Sequence, residues 1–410
     1  MKAVAQLPLR IAIFSRYCLS EQYDLAAEFK GMLADLTTRN VVLHLSMKGR
    51  HTEPEVPPGL AVEELSLSID RHTHRDIILK SLLMYLYLPW IASRLRKFKP
   101  DVIYLSEVLP LFGLMLRWLT HTKVTTGYGD WHLHNMLGRK IWSKPFLRMA
   151  ESLDRFEVRR LDGFLCRADS ASARLIGWGV HPSKVRVVRD APDPHVFFPS
   201  DQSHLRLQCG FDKDDIVLLY HGIMHQGKGL DRLLSWTAEL YQENHKIGII
   251  MVGKGPEEGH LRQLATDSGL GKRAFFTGWL NTTKEVGCYC NAADICIAMR
   301  TADEANQRVV PGALLHSMAC RKVIIGPRLE GVAEIIRDGE NGYMFTPDDG
   351  EDFKRLIHYL IAHRNEWERV SAAAHEDILR NYSVPAAARL YAGTIEHFAT
   401  NSTVRHAARN

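Results

Sequence analysis

Two open parallel β-sheets, each covered by helices, are what this sequence predicts, and three observations predict them. Short β-branched or apolar runs alternate with longer helical patterns along the whole chain, as they do where parallel strands are joined by helical crossovers. A stretch rich in proline and turn formers, Arg189-Asp190-Ala191-Pro192-Asp193-Pro194-His195 followed by Phe197-Phe198-Pro199, interrupts both periodicities. The length, 410 residues, exceeds what one ordinary hydrophobic core holds.

In the first half, strands are expected at Ile11 to Ser15, Val41 to Ser46, Ala61 to Leu65, Val102 to Leu105, Lys123 to Thr126, Gly163 to Cys166 and Lys184 to Val188. Helices fill the gaps, among them Asp24 to Leu36 and Lys144 to Leu161. Beyond the proline-rich stretch the pattern restarts with strands at Ile216 to Tyr220, Ile247 to Val252, Ala274 to Thr277, Ile295 to Ala298, Val323 to Ile325 and Gly342 to Phe345. From Glu351 onward only helices are expected, and the last, Ala386 to Ala399, is expected to cross back onto the first domain. The resulting division is residues 1–195, completed by 385–410, and residues 196–384.

Composition narrows the function classes. Apolar residues make up 46%, as in a globular protein, and a net charge of +5 comes from 52 basic residues scattered among 47 acidic ones. No basic block forms a nucleic-acid stripe, so nucleic acid is not an expected partner. Seven cysteines without a CxxC pair, several inside apolar runs, read as reduced buried thiols of a cytoplasmic protein. The first apolar run, Ile11 to Phe14, is too short for a signal peptide. Ser81 to Ala92 (SLLMYLYLPWIA) is too short to cross a bilayer, which takes about 20 residues. Its flanks are basic (Arg71, Arg75, Lys80, Arg94, Arg96, Lys97, Lys99). A helix packed on the sheet is the favoured reading, and a helix lying on an anionic membrane, at its inner face, is the other.

The second half carries the chemistry. The strand at Ile216 runs into His221-Gly222-Ile223-Met224-His225-Gln226-Gly227-Lys228-Gly229-Leu230, where glycines let the backbone approach phosphates and Lys228 adds a positive charge at a helix start. Met251-Val252-Gly253-Lys254-Gly255-Pro256 follows, then Phe276-Thr277-Gly278-Trp279 and Asn291-Ala292-Ala293-Asp294-Ile295. Next come a helix start at Pro311-Gly312, the run Leu314-Leu315-His316-Ser317-Met318-Ala319-Cys320, and Gly331-Val332-Ala333-Glu334-Ile335-Ile336. Each is unspecific alone. In this order and spacing they resemble the retaining glycosyltransferases of family 4, which have the GT-B fold.

The resemblance implies two Rossmann-like domains facing across a cleft, with the donor nucleotide on the second and the acceptor on the first. It also implies transfer of a hexosyl or related sugar from a nucleotide diphosphate sugar to a hydroxyl acceptor. Retention is expected, without metal or other cofactor, and the acceptor remains open between a cell-surface glycan, a lipid-linked molecule and a small molecule. Gly222, Gly253, Lys228, Gly312 and Ala313 match the diphosphate-binding frame.

Three positions of this half depart from the family. Where it carries two glutamates eight residues apart, this chain has Arg308 and His316, and Ile223 stands where the family has an arginine. Arg308 either replaces the lost cation or pairs with a carboxylate on the donor sugar, while His316 is assigned to a ribose hydroxyl, or else only satisfies a helix neighbour. Glu304 is a candidate substitute acid, against a solvated loop residue. In the first half Gly129-Asp130-Trp131-His132-Leu133-His134 follows a strand, so Asp130 and His132 are candidates for the reaction centre, or for ordering a loop. The histidine pairs His72 with His74, His132 with His134 and His221 with His225 lack a third ligand at a regular interval, and no metal is expected. Two other readings stand beside the enzyme: a degenerate GT-B protein that binds a nucleotide sugar or a partner enzyme, and a sugar-nucleotide epimerase or phosphorylase.

Overall fold

The computed structural model describes residues 7–15, 27–47, 56–65, 74–106, 110–128 and 144–400. They fall into two units, Met1–Asp190 with Val384–Asn410, and Ala191–Ser383. The first is built on a parallel sheet of seven strands. These are β1 (Arg10–Ser15), β2 (Val41–Met47), β3 (Leu60–Leu65), β4 (Val102–Leu105), β5 (Lys123–Tyr128), β6 (Gly163–Cys166) and β7 (Val185–Val187), in the order β3-β2-β1-β4-β5-β6-β7. Its helices are α1 (Ala27–Thr37), α2 (His74–Phe98), α3 (Phe112–Thr120), α4 (Lys144–Val158) and α5 (Asp169–Gly177).

Central strands are apolar on both sides because both faces are covered. Ile11 and Ile13 of β1 pack with Phe29, Met32 and Leu33 of α1 and with Tyr391, Ile395 and Phe398 of the helix Val384–Thr400. On the other face Phe14 stacks on Phe112 of α3 with ring centroids 5.5 Å apart. The last helix therefore completes this unit's core, and two glycines make room for it. A Cβ on Gly31 would lie 2.8 Å from the Cβ of Ala388, and one on Gly163 would lie 2.6 Å from the Phe398 ring. Arg39 and Asn40 also donate to Glu396 at 2.7 and 2.6 Å.

The second unit carries six parallel strands, β8 (Ile216–His221), β9 (Ile247–Val252), β10 (Ala274–Gly278), β11 (Ile295–Ile297), β12 (Val323–Pro327) and β13 (Tyr343–Phe345), in the order β10-β9-β8-β11-β12-β13. Its helices are α6 (Ser203–Gln208), α7 (Leu230–Glu243), α8 (Glu258–Asp267), α9 (Thr283–Ala292), α10 (Glu304–Gln307), α11 (Gly312–Ala319), α12 (Glu330–Ala333), α13 (Gly350–Ala362) and α14 (Trp367–Asn381). Alternate residues of β8 feed two apolar layers. Ile216, Leu218 and Tyr220 pack under α7 and α13, while Val217 and Leu219 pack under α9, α11 and α14.

Every strand expected from the sequence is present, with ends moved by one or two residues. The segment Ser81 to Ala92 lies within α2 and buries Met84, Leu88, Ile91 and Ala92, the packed reading of the two offered. Among the described residues no helix is long and apolar enough to cross a membrane.

Candidate donor site

Strand order places the site. The chain leaves β8 for β9 and β10 on one side, then returns to β11 and proceeds to β12 and β13 on the other. The loops after β8 and β11 therefore part in opposite directions, and open parallel sheets bind ligands in the crevice so formed.

Glycines shape the loop after β8. Gly222 (φ 141°) and Gly253 (φ 118°) adopt backbone conformations that side chains rarely adopt, and a Cβ on Gly253 would stand 2.3 Å from the Gly222 carbonyl oxygen. A Cβ on Gly255 would be 2.2 Å from the Met224 carbonyl oxygen. With no Cβ in the way, Gly222 N donates to Val252 O and Met224 N to Lys254 O, each at 3.0 Å. The chain then makes one 3-10 turn, Gln226–Lys228, before α7. This turn holds Lys228 close enough to His221 for its charge to depress the imidazole pKa.

The same turn is bonded to the loop after β11. Asn306, buried in α10, donates through Nδ2 to the Gly227 carbonyl at 2.9 Å and to the Thr301 carbonyl at 3.1 Å. Its Oδ1 accepts from Arg300 Nη1 at 3.2 Å, while the buried Nε of Arg300 has no hydrogen-bond partner among the described residues. Thus α10, in a stretch that reads as loop, fixes Lys228 relative to the start of α11.

His316 lies one turn into α11, between two aromatic neighbours. Phe197, from the proline-rich linker, stacks on it with ring centroids 4.0 Å apart and planes 2° from parallel, and His221 at the end of β8 stacks at 5.4 Å and 17°. Burial lowers both imidazole pKa values. His221 falls to about 4, with the Lys228 charge lowering it further and a hydrogen bond with the Ala313 backbone opposing, and His316 falls well below 6.5 with His221 contributing. Both are neutral at pH 7. Among the described residues, Nε2 of His221 and Nδ1 of His316 are buried without a hydrogen-bond partner, so the helix-neighbour alternative leaves Nδ1 unsatisfied. An unpaired buried polar atom costs about 1–3 kcal/mol, which a ligand hydrogen bond would recover.

Gly312 and Ala313 open α11 behind Pro311, whose side chain offers no cap, and the first turn contains no acidic residue. Its amides and the positive end of its dipole suit an anion. Arg308 behaves otherwise. It pairs with Glu304 at 2.6 Å and with Glu330, at the start of α12, at 3.2 Å. All three are at least partly exposed. Gly331 lets α12 approach, since a Cβ there would stand 2.5 Å from the Val309 carbonyl oxygen.

The second unit thus brings together Gly222, Gly253, Lys228, Gly312, Ala313 and His316, with Arg308 and Glu304 joined on an adjoining rim. Asp130 and His132 lie outside the described residues. Four contributors escape a reading of the sequence: Phe197 passes for linker, His221 for half of a metal-like pair with His225, Asn306 for loop, and Glu330 carries no motif. His225 instead orders its own turn, its Nδ1 accepting from Gly227 N at 3.2 Å.

Residues 215–363 match the family model of glycosyl transferases group 1, and residues 54–196 match that of Glycosyltransferase Family 4. The chain has the GT-B fold, and each of its two units carries a match to a glycosyltransferase family model. Its GT-B architecture superimposes on Anabaena Alr3699/HepE, solved in complex with UDP and glucose, at a TM-score of 0.71 with 17% identity, covering 95% of this chain and 99% of that one. Sucrose-phosphate synthase from Thermosynechococcus elongatus gives 0.72 with 16% identity over 96% and 99% of the two chains. In sequence the chain is 26% identical over 235 residues to the lipopolysaccharide core biosynthesis glycosyltransferase LpsE of Rhizobium meliloti, which is 57% of this chain. The chain spans 64% of the length of LpsE, and 47% of that of the putative glycosyltransferase EpsD of Bacillus subtilis.

Proposed function

We propose that this protein transfers a sugar from a nucleoside diphosphate sugar to a hydroxyl acceptor, with retention of configuration. The observation that carries the reading is the Nδ1 of His316, unpartnered among the described residues, one turn into the uncapped α11 and stacked on the His221 ring that the Lys228 charge reaches. The bond between the anomeric carbon and the β-phosphate oxygen breaks, and the diphosphate leaves with the electron pair. Lys228 and the amides of Gly312 and Ala313 meet that charge, the kind of stabilisation that is worth most as charge develops. His316 bonds a ribose hydroxyl, and Phe197 holds its ring in place. The acceptor oxygen bonds the anomeric carbon and loses its proton, with Asp130 and His132 the expected groups on that side.

The donor we favour is a UDP sugar, in keeping with the UDP and glucose held by HepE. A neutral hexose suits the rim better than a uronate, because Arg308 already faces two protein carboxylates. On this reading Glu304 and Glu330, oriented by Arg308, supply the hydroxyl-binding acid that position 308 lacks. The acceptor is a glycan, a lipid-linked molecule or a small molecule.

The test is donor turnover. Slow UDP-glucose hydrolysis, abolished by Lys228→Ala, is expected even without an acceptor. Binding of UDP-glucose with neither hydrolysis nor transfer to any acceptor offered would favour the degenerate binder, for which the absent glutamates argue.

A further inference from the structure

We propose that Arg300 meets the diphosphate of the donor, as a second cation acting with Lys228. This role rests on the nucleotide-sugar reading above and adds a residue to it. Among the described residues Arg300 is the one arginine or lysine that is buried, with 8% of its surface exposed. A guanidinium cannot shed its proton inside a protein, so burying one is costly unless an anion faces it. The other arginines of this unit that lie near the core meet that condition. Arg206 and Arg273 pair with Asp294 and Asp215 at 3.0 and 2.9 Å, and Arg308 pairs with Glu304 and Glu330. Arg300 does not. Among the described residues it forms no ion pair, its Nη1 donates to an uncharged amide, that of Asn306, and its Nε has no hydrogen-bond partner. Asp303, the nearest acid along the chain, accepts from Thr301 Oγ1 at 2.7 Å. Holding Asn306 in place would need only a neutral donor, so the buried charge points to an anion that the protein itself does not supply.

Position selects the anion. Arg300 follows the end of β11, on one side of the sheet's switch point, and its loop packs on the turn that carries Lys228. Asn306, which accepts from Arg300, donates to the Gly227 carbonyl at 2.9 Å, and Thr301 Oγ1 donates to the same carbonyl at 3.2 Å. A Cβ on Gly229 would stand 2.9 Å from Thr301 Cγ2, so the two loops are in direct contact. The Arg300 charge also reaches the buried Tyr220, lowering a phenol pKa that burial raises, and Tyr220 OH donates to the Ile223 carbonyl at 3.1 Å. Ile223 stands where the resemblance leads one to expect an arginine, and Arg300 brings a guanidinium towards the same loop from the neighbouring strand. Two cations set against one turn repel each other until an anion of more than one charge lies between them. A diphosphate has that charge, and its oxygens suit the planar fork of a guanidinium.

Titration of the full chain tests the role, with UDP and pyrophosphate followed by calorimetry and uridine by ligand-observed NMR. Arg300→Met, uncharged and of similar reach, should weaken UDP and pyrophosphate about thirtyfold and leave uridine unchanged. Arg300→Lys keeps the charge without the fork and should weaken UDP about fivefold, again sparing uridine. Arg321→Met, at an exposed arginine paired with Glu368, should change nothing. Melting curves identify a variant that fails to fold, and if Arg300→Met is that variant, Arg300→Lys decides. Pyrophosphate held by the parent and lost from Arg300→Met, with no UDP sugar bound at all, would uphold the role of Arg300 while the nucleotide-sugar reading falls. UDP bound as tightly by Arg300→Met as by the parent, or UDP and uridine weakened alike as a purely structural arginine would have it, would overturn the role and leave that reading standing. A parent that binds neither UDP nor pyrophosphate would overturn both.

Discussion

The resemblance puts Arg308 and His316 where two glutamates are expected, and the fold gives the two side chains different surroundings. His316 is half-buried, stacked on Phe197 and His221, with its Nδ1 shielded from water and unpartnered among the described residues. Arg308 stands on the rim, its fork filled by Glu304 and Glu330. Removing a carboxylate from a buried position requires a neutral replacement that can still form a hydrogen bond, which imidazole is. Removing one from a rim lets a cation recruit acids from elsewhere. The first position is therefore still suited to a ligand, whereas the second acts through its neighbours.

The frame common to both positions should give the largest effect when broken. Gly253→Ala forces a Cβ into the Gly222 carbonyl from a left-handed backbone, so a loss of about 3 kcal/mol or more in unfolding free energy is expected from denaturant titration. Next is Lys228→Ala, which should keep the melting temperature but lower donor turnover about a hundredfold, measured as sugar released per unit time.

The two vacated positions then separate. His316→Ala should weaken UDP and UDP-glucose alike, each about tenfold in calorimetric titration. Arg308→Ala should leave UDP binding unchanged and weaken only UDP-glucose, since the carboxylates it orients lie beyond the nucleotide. Equal loss for both nucleotides in the Arg308 variant would erase the distinction. On stability Arg308→Ala is expected to cost at most about 1 kcal/mol, as its ion pairs are exposed.

Acid sharpens the contrast further. Burial holds His44 and His221 at about 4 and His316 well below its ordinary value, against about 6.5 in the unfolded chain. Between these values the unfolded chain binds more protons, so stability falls as pH drops from about 6.5 towards 4, by about 1.4 kcal/mol per pH unit for each fully shifted site. Glu157, raised to about 7 by burial, acts oppositely over the same range and offsets one histidine. In melting temperature against pH, His316→Phe should show a shallower acid decline than the parent, and Arg308→Ala an unchanged one.

Local order made the fold legible. Strand runs, the interrupting prolines and the glycine-rich turns lie within a few residues of one another, and each specifies its own backbone. The glycine-rich turn from Gly222 to Lys228 was legible for the same reason, because it forms one loop. What stayed hidden depends on distant pairs: Asn306 reaches Gly227 across 79 positions, and Phe197 meets His316 only when the linker folds over α11. His221 looked like half of a spaced pair with His225, since sequence cannot say that its ring turns toward α11. The partner of Arg308 stayed hidden for a like reason, as Glu330 arrives on a separate helix that Gly331 lets close.

The most direct measurement of the central claim is a thermal-shift panel of UDP, GDP, ADP and dTDP sugars on the parent and on His316→Ala and Lys228→Ala. Ligand at a hundred times its dissociation constant stabilises by about 2.7 kcal/mol, enough to raise the melting temperature by a few degrees. The parent is expected to shift with a UDP sugar, and both variants to lose most of that shift. No shift with any of the four, or one that survives both substitutions, would contradict a donor site at Lys228 and His316.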